Sequence, residues 1–304
     1  MARLSAHSIP DCEVRHNVPL APYTTWGVGG CAKTLLAPRT ADGLACAARR
    51  LQDEGAGFYV LGGGSNVLIA DGAIETPVLL TTGVSGADAA DCGDCVLVHC
   101  LPGTSVKGVL SMAVKNGWGG LEFAAGIPGT VGGALAGNSG TSAGSMSSVV
   151  EAVRTVEENG AVREWKEGSI GWGYRSCSLF NEGRRVALGV TFRLVQSDRA
   201  SVVQAVKSAM KGRGYQPSAS RTAGCVFKNP EGDSAGRLLD ESGCKGLSVG
   251  GARVSYAHAN FIESMADCTA SDIMELAAMC RARVRDAFGV FLAFEIKTLG
   301  LADS

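Results

Sequence analysis

Apolar residues recur at the spacing of one helix face in several segments of the chain. This pattern predicts helices over residues 41–51, 104–116, 200–211, 235–241 and 269–288. Gly117 follows the second of these segments, at the position where a glycine commonly ends a helix. Thr269 and Asp272 open the last segment with the spacing of a capping box, in which two side chains satisfy free N–H groups of the first turn.

Other apolar runs are short and end at turn residues, which predicts strands. These strands cover residues 57–61, 67–70, 78–81, 95–99, 151–156, 162–165, 185–195, 259–263 and 290–298. Asn159 and Gly160 separate two of them and predict a β-hairpin. Because strands and helices do not alternate strictly, the pattern favours an α+β fold over a doubly wound α/β fold. A polar break at residues 196–199 predicts a boundary between domains 1–196 and 197–304.

Two glycine-rich turns interrupt this pattern, at residues 61–66 and 126–140, and the second holds six glycines in fifteen residues. Glycine lets a backbone approach a ligand closely, and successive N–H groups in such turns form anion-binding hollows. Two such turns indicate one long ligand with two anionic groups, such as a dinucleotide. The first turn joins two strands and lacks the helix that follows a Rossmann or P-loop motif. The alternative is a pair of tight turns without a ligand.

Three short segments outside these turns carry candidate chemistry. Arg175 has a planar guanidinium suited to a carboxylate, although an ordinary surface arginine is the simpler interpretation of residues 171–176 alone. Cys225 is either a proton donor at neutral pH or a small buried apolar residue. Glu295 lies among apolar residues, so its carboxylate either has a partner at a working site or faces water at a strand end. For His258 we favour a core histidine with its hydrogen bonds satisfied over a catalytic base or a residue that contacts phosphate.

Composition narrows the class of protein. The chain has 304 residues, is 46% hydrophobic and 19% charged, and carries a formal net charge of −1. These values are typical of a globular protein and leave no clustered positive charge for nucleic acid. Apolar runs are shorter than a membrane span and no signal-peptide core is present, so we expect a cytoplasmic protein. The 11 cysteines include one CxxC pair, Cys92 and Cys95. Because a zinc site commonly needs two such pairs and the spacing shows no disulfide framework, free thiols are favoured.

Taken in order, the motifs resemble one family, the UDP-N-acetylenolpyruvoylglucosamine reductases, which are flavoenzymes of bacterial peptidoglycan synthesis. The matching residues are 23–25, 61–67, 126–133, 174–176, 223–230, 258–262, 295–296 and 299–300. The glycine motifs are shared with a wider group of FAD-binding oxidases and specify the flavin fold only. The segment 223–230, together with 174–176 and Glu295, is far more specific.

The resemblance implies a two-subdomain FAD-binding module of the vanillyl-alcohol-oxidase (PCMH) type over residues 1–196, followed by a smaller α+β substrate-binding domain over residues 197–304. It also implies non-covalent FAD, NADPH as co-substrate and a UDP-sugar substrate whose enolpyruvyl group is reduced to give UDP-N-acetylmuramate. No nucleic acid, membrane or metal is implied, and we expect a monomer. The implied cofactor-binding residues are Gly62, Gly63, Gly64, Ser65, Asn66, Gly126, Ile127, Pro128, Gly129, Gly132 and Gly133.

The resemblance further implies three catalytic residues. Arg175 and Glu295 would steady the developing enolate at the substrate carboxylate, and Cys225 would give a proton to the adjacent carbon. These roles agree with general chemistry, since an enolate in a dry site needs fixed donor groups and its quenching needs an acid within reach. The implied substrate-binding residues, near the sugar and its phosphates, are Tyr174, Arg213 and Asn229.

The chain departs from the family pattern at three places. Many members carry serine at the position of Cys225, residues 138–146 replace the usual loop sequence, and Ala257 stands where a lysine often precedes the histidine. Two other functions share the glycine turns, namely an FAD-dependent oxidase and a non-catalytic flavin-binding module. The oxidase has no reason to carry Arg175, Cys225 and Glu295 together, and the module predicts a protein that binds flavin but does not oxidise NADPH when given the enolpyruvyl sugar.

Overall fold

The internal contacts of the chain divide it into two units. The structure is a computed structural model that describes residues 9–55, 57–181, 185–211, 217 and 221–301. Unit 1 comprises Met1–His16, Thr34–Gly63 and Thr76–Arg213, and unit 2 comprises Asn17–Lys33, Gly64–Glu75 and Gly214–Ser304. The chain therefore enters unit 2 three times. The domain boundary expected after residue 196 stays a prediction, while the contacts of unit 1 extend past it.

The described α-helices agree with the predicted ones and add a short helix. They are α1 (Ala41–Asp53), α2 (Val106–Asn116), α3 (Val131–Ala136), α4 (Arg199–Lys211), α5 (Ala235–Glu241) and α6 (Ala270–Phe288). Gly117 ends α2 in the left-handed conformation, with a φ of 72°. Thr269 and Asp272 make both hydrogen bonds of the predicted capping box of α6. Helix α3 has no counterpart in the sequence prediction, because Gly132 and Gly133 weaken its helical pattern.

The described strands are mostly short. They are β1 (Cys12–Pro19), β2 (Cys31–Pro38), β3 (Tyr59–Leu61), β4 (Val67–Ile69), β5 (Ala73–Ile74), β6 (Val78–Leu80), β7 (Ala87–Asp91), β8 (Cys95–Cys100), β9 (Trp118–Gly119), β10 (Gly140–Thr141), β11 (Gly144–Ser145), β12 (Val150–Val156), β13 (Val162–Lys166), β14 (Trp172–Gly173), β15 (Ser176–Cys177), β16 (Val186–Gln196), β17 (Ser248–Val249), β18 (Ala252–Val254), β19 (Ile262–Ser264) and β20 (Lys297–Leu299).

The two larger sheets with strands in unit 1, among the described residues, differ in strand direction. In the first sheet, β2 and β3 flank β6 and both run parallel to it. The second sheet is antiparallel, has the order β13-β12-β16-β8-β7, and includes β9 beside β16. Helix α1 packs on β16, and its Leu44 and Leu51 join Leu36 and Leu79 in one core. A larger core, with Phe192 and Leu135 fully buried or nearly so, lies under the second sheet.

Unit 2 is built around helices α5 and α6 and a small antiparallel sheet, β17-β18-β19. A separate parallel pair joins β20 to β4, with Lys297 opposite Val67. The hydrophobic core of unit 2 takes residues from all three stretches of the unit. Among them are Trp26, Leu68 and Phe227, and each of these is at most 2% exposed. Mixed strands and helices in both units confirm the α+β prediction, and the two larger sheets of unit 1 agree with a two-subdomain module.

Two predicted strands are partly wrong. The run 290–298 forms a strand only from Lys297, because residues before it follow the 226–228 segment through single backbone hydrogen bonds instead of a continuous ladder. The run 259–263 begins its strand at Ile262, since the Phe261 N–H donates to the His258 carbonyl at 3.0 Å and closes a turn.

Candidate active site

The two glycine turns meet inside unit 1. A Cβ placed on Gly62 would lie 2.6 Å from Thr130 Oγ1, and one on Gly63 would lie 3.0 Å from Gly129 Cα. The first distance is shorter than real Cβ contacts and the second is at their lower limit, so this close approach favours glycine at both positions. The structure thus brings together the two motifs that the sequence assigns to one ligand.

Backbone N–H groups remain available where these turns meet. The N–H groups of Gly62, Gly63, Gly129 and Thr130 have no acceptor among the described residues. Thr130 is nonetheless 6% exposed, and buried N–H groups in proteins almost always find a partner. Such a set of donors fits the oxygens of a pyrophosphate, so the turns are suited to the FAD that the resemblance implies. The individual cofactor contacts stay predictions.

The second turn is fixed to the segment that precedes α2. The N–H of Val106 donates to the carbonyl oxygen of Gly129 at 3.1 Å, and that of Gly132 donates to Pro102 at 2.9 Å. Gly126 and Gly129 adopt positive φ values of 77° and 94°, which L side chains rarely adopt. The turn is therefore held in a conformation that depends on its glycines.

A cavity of about 620 Å³ lies in unit 1 along this second turn. Helices α2 and α4 form its other walls. Three cationic residues, Lys107, Lys115 and Arg199, line it together with apolar side chains such as Leu110, Val114, Val206 and Met210. An apolar wall with a few cations suits an aromatic ring that carries phosphate. Gly126, Ile127 and Pro128, which the resemblance assigns to the cofactor, line it too.

The rest of the first turn lies in unit 2. Gly64 has a φ of 58°, and a Cβ there would lie 2.0 Å from the carbonyl oxygen of Tyr23, so only glycine fits. The Asn66 side chain donates from Nδ2 to the Glu295 carbonyl oxygen at 3.1 Å. The Lys297 N–H donates to the Asn66 carbonyl at 2.9 Å. Asn66, which the resemblance assigns to the cofactor, also fixes the backbone of a predicted catalytic residue.

Arg175 lies in unit 1 at the tip of the hairpin formed by β14 and β15. Trp172 pairs with Cys177 and Gly173 with Ser176, so Tyr174 and Arg175 form the turn. The guanidinium donates from Nη1 to the Gly140 carbonyl at 3.1 Å, and Tyr174 is 57% exposed. Arg175 has a positive φ of 55°, an uncommon conformation for a residue with a side chain. The atypical loop 138–146 therefore contacts the predicted carboxylate-binding arginine directly.

Cys225 and Glu295 are neighbours in unit 2, although they are far apart in the sequence. Cys225 forms an isolated β-bridge with Phe261. The next residue, Val226, accepts a hydrogen bond at its carbonyl oxygen from the Glu295 N–H at 2.8 Å. The two predicted catalytic residues are thus placed on adjacent backbone segments, and Glu295 is held at both its N–H and its carbonyl group.

Asn260 is the buried residue that organises this region, and the sequence analysis did not single it out. Its side chain accepts from the Phe227 N–H at 2.9 Å and donates to the Phe227 carbonyl at 2.8 Å. It is 2% exposed. The ring of Phe227 also stacks on Phe294, with centroids 5.3 Å apart. An asparagine inside an apolar run was the available signal, since a buried amide needs partners.

Two further candidate residues, Asn229 and His258, make hydrogen bonds to backbone N–H groups. Asn229 accepts from the Ala235 N–H at 3.0 Å and so helps to begin α5. Nδ1 of His258 accepts from the Asn260 N–H at 3.1 Å, which agrees with a satisfied core histidine. Burial of the imidazole, followed by the charge of Lys245, lowers the pKa of His258. Arg213 lies outside the described residues.

Cys92 and Cys95 lie at the turn between β7 and β8. Cys92 is exposed and Cys95 is buried, and both are free thiols. Arg193 donates from Nη1 to Cys95 Sγ at 3.0 Å. Over the described ranges, no group of three or more His, Cys, Asp or Glu side chains is placed to hold a metal ion. In the same ranges no helix combines the length and apolar character needed to span a bilayer.

Comparisons with known proteins agree with this arrangement. The FAD binding domain family matches residues 32–166, and the family described as UDP-N-acetylenolpyruvoylglucosamine reductase, C-terminal domain, matches residues 216–299. The reductase of Desulfosudis oleivorans is 38% identical over 94% of this chain and 95% of its own length. That of Moorella thermoacetica is also 38% identical, over 95% and 94% of the two chains.

A solved structure supports the same relationship. The crystal structure of UDP-N-acetylenolpyruvylglucosamine reductase from Thermus caldophilus matches with a TM-score of 0.79 at 33% identity. The match covers 94% of this chain and 98% of that one. Similarity of this extent, in sequence and in fold, shows that the chain belongs to the UDP-N-acetylenolpyruvoylglucosamine reductase family.

Proposed function

We propose that this protein is an FAD enzyme that uses NADPH to reduce the enolpyruvyl group of UDP-N-acetylglucosamine enolpyruvate, giving UDP-N-acetylmuramate for peptidoglycan synthesis. Family membership over nearly the whole chain supports the reaction. The observation that carries the catalytic assignment is the placement of Cys225 and Glu295 on adjacent segments joined by the Val226–Glu295 hydrogen bond.

The glycine turns would hold the cofactor. When bound, FAD carries the hydride from NADPH to the substrate, and that chemistry belongs to the cofactor. The protein's part is to bind the pyrophosphate with the free N–H groups of Gly62, Gly63, Gly129 and Thr130. Non-covalent binding of FAD predicts that denaturation releases the flavin.

Three side chains are assigned roles in the reduction of the substrate. Arg175 binds the substrate carboxylate with its guanidinium fork and stabilises the negative charge that develops there. Glu295, held at its backbone by Asn66 and Val226, supports the same carboxylate in a protonated or hydrogen-bonded form. The Cys225 thiol donates a proton to the carbon next to the one that accepts the hydride. Tyr174, Arg213 and Asn229 are proposed to contact the UDP-sugar.

The proposal includes the setting in which the enzyme works. We place it in the cytoplasm, where NADPH and UDP-sugars are present, and expect it to act as a monomer. An enzyme of this kind binds one UDP-sugar and needs neither nucleic acid nor a membrane.

Half-reaction kinetics test the proposal. NADPH should reduce the bound flavin in the parent and in Cys225→Ala at similar rates, because the thiol acts only on the second substrate. Reoxidation of the flavin by the enolpyruvyl sugar should stop in Cys225→Ala and persist in Cys225→Ser, which retains a donor. Turnover of Cys225→Ala at the parent rate would refute the proton-donor assignment. Failure of the enolpyruvyl sugar to reoxidise the parent flavin would refute the proposed reaction.

A further inference from the structure

Arg175 has a backbone conformation that its surroundings must maintain. Its φ of 55° lies in the left-handed region, where a residue with a side chain is strained by about 1–2 kcal/mol. Strain of this kind persists only where neighbouring groups hold the residue in place. The hairpin of β14 and β15 supplies two backbone pairings, at Trp172–Cys177 and Gly173–Ser176, and the arginine lies at its tip.

The loop that follows α3 supplies two further contacts to this tip. Gly140 accepts from Arg175 Nη1 at 3.1 Å, which orients the guanidinium. Asn138 donates from Nδ2 to the Gly173 carbonyl at 3.0 Å, two residues before the arginine. One contact therefore holds the side chain of Arg175 and the other holds the strand that carries it.

Asn138 is itself fixed, so it can transmit this restraint. Its Oδ1 accepts from the Ser147 N–H at 3.1 Å, at the far end of the β10–β11 hairpin. The residue is 8% exposed and has a φ of 40°, a conformation that asparagine tolerates better than most residues. The amide nitrogen and the amide oxygen of Asn138 each make a hydrogen bond, and these two bonds connect the loop to the β14–β15 hairpin.

We propose that Asn138 is a positioning residue for Arg175 and that residues 138–147 serve to aim the guanidinium at the substrate carboxylate. This inference rests on the proposed function, because it assumes that Arg175 binds that carboxylate. A displacement of about 1 Å at a group that orients the substrate can slow a reaction as much as 100-fold, so even a modest loosening of the hairpin is measurable. The rival interpretation is that Asn138 only stabilises the loop.

The Asn138→Gly variant separates the two interpretations. Glycine keeps the positive φ without strain and removes both side-chain hydrogen bonds. We expect flavin reoxidation by the enolpyruvyl sugar to slow about tenfold, with a higher KM for that sugar, while flavin reduction by NADPH stays within about twofold of the parent. Flavin content, measured after dialysis, should be unchanged. Equal slowing of both half-reactions, or loss of flavin, would overturn the proposal.

Ser148→Ala is the matched control, one residue after this segment. The Ser148 hydroxyl donates to the Ser145 carbonyl at 2.7 Å and contacts neither Gly173 nor Arg175 in that bond. Its loss should leave both half-reactions at the parent rate. A defect in Ser148→Ala equal to that in Asn138→Gly would indicate a general effect on the loop and overturn the inference.

A double-mutant cycle shows whether Asn138 acts through Arg175. In the Arg175→Ala background, Asn138→Gly should slow flavin reoxidation by less than about twofold, because the group that it positions is already absent. Additive effects would overturn the positioning role. If Arg175→Ala alone leaves flavin reoxidation unchanged, the proposed function of Arg175 fails instead, and this result is distinct from an unaffected Asn138→Gly variant.

Discussion

The N–H of Glu295 donates to the carbonyl oxygen of Val226 at 2.8 Å, and this bond makes neighbours of two segments that the sequence keeps apart. On one side lies Cys225, and on the other the predicted carboxylate. The bond involves only main-chain atoms and therefore does not depend on which side chain stands at either position. Changes that loosen these two segments should therefore lower the stability of the protein and slow the reoxidation of the flavin by the enolpyruvyl sugar.

Asn260→Ala should destabilise the protein strongly. The change leaves the N–H and the carbonyl of Phe227 without the amide that now satisfies both, in a region where Asn260 is 2% exposed. An unsatisfied buried polar group costs about 1–3 kcal/mol, so we expect a loss of about 2–4 kcal/mol in the free energy of unfolding by urea. Asn116→Ala, which removes one exposed hydrogen bond to Met112, should cost far less. Equal losses in the two variants would contradict the prediction.

Gly62→Ala should weaken FAD binding. The added Cβ would lie 2.6 Å from Thr130 Oγ1 and force the two glycine turns apart. Overpacking of this kind costs about 1–3 kcal/mol, and since about 1.4 kcal/mol corresponds to a tenfold change, the affinity for FAD should fall about tenfold. Flavin retained after dialysis measures the effect. At Gly57 a Cβ meets nothing within 4 Å, so Gly57→Ala is the matched control and should retain its flavin.

Asp71→Ala should destabilise the start of α6. The carboxylate accepts from the N–H groups of Ala270 and Ser271 at 2.9 Å each, and from the Ser271 hydroxyl at 2.8 Å. Burial opposes ionisation here, but these hydrogen bonds outweigh it and lower the pKa of Asp71. Loss of such a cap costs about 0.5–2 kcal/mol, measurable by urea unfolding at neutral pH. Asp71→Asn keeps part of the acceptor set and should lie between the parent and Asp71→Ala; a parent-like Asp71→Ala would exclude this role.

His258 should make the protein less stable in mild acid. Because burial and then Lys245 lower the pKa of His258 in the folded state, the unfolded chain takes up the proton first as the pH falls through about 6.5. The free energy of unfolding should therefore decrease below that pH. His258→Asn retains an acceptor for the Asn260 N–H but does not titrate, so the parent should lose stability relative to it between pH 7 and pH 5. Parallel pH profiles for the two proteins would show that His258 contributes nothing.

Local signals in the sequence predicted most of the helices and the main hairpin. Gly117 and the Thr269–Asp272 box act within one turn of the chain, so their effect can be read without knowing what packs nearby. Asn159 and Gly160 likewise fix the turn between β12 and β13, where Val156 pairs with Val162. Such features depend on neighbours in sequence alone.

The site depends on contacts that have no local signal. The 290–298 run has the composition of a strand. Its residues nevertheless pair with the 226–228 segment only through isolated backbone hydrogen bonds, which depend on the tertiary fold. The roles of Asn260 and Asn138 arise from partners more than thirty residues away. The resemblance supplied Arg175, Cys225 and Glu295 as candidates, but which groups hold them could be found only from the structure.

Trp26 shows that the core of unit 2 depends on residues from the start of the chain. Its indole donates from Nε1 to the Ile262 carbonyl at 2.8 Å and is fully buried within unit 2, although it lies near the start of the chain. Leu68 is buried in the same core and comes from the second stretch of the unit. The last third of the chain alone therefore lacks part of this interior, because Trp26 and Leu68 come from earlier stretches. The early stretches that supply Trp26 and Leu68 must be inherited together with it.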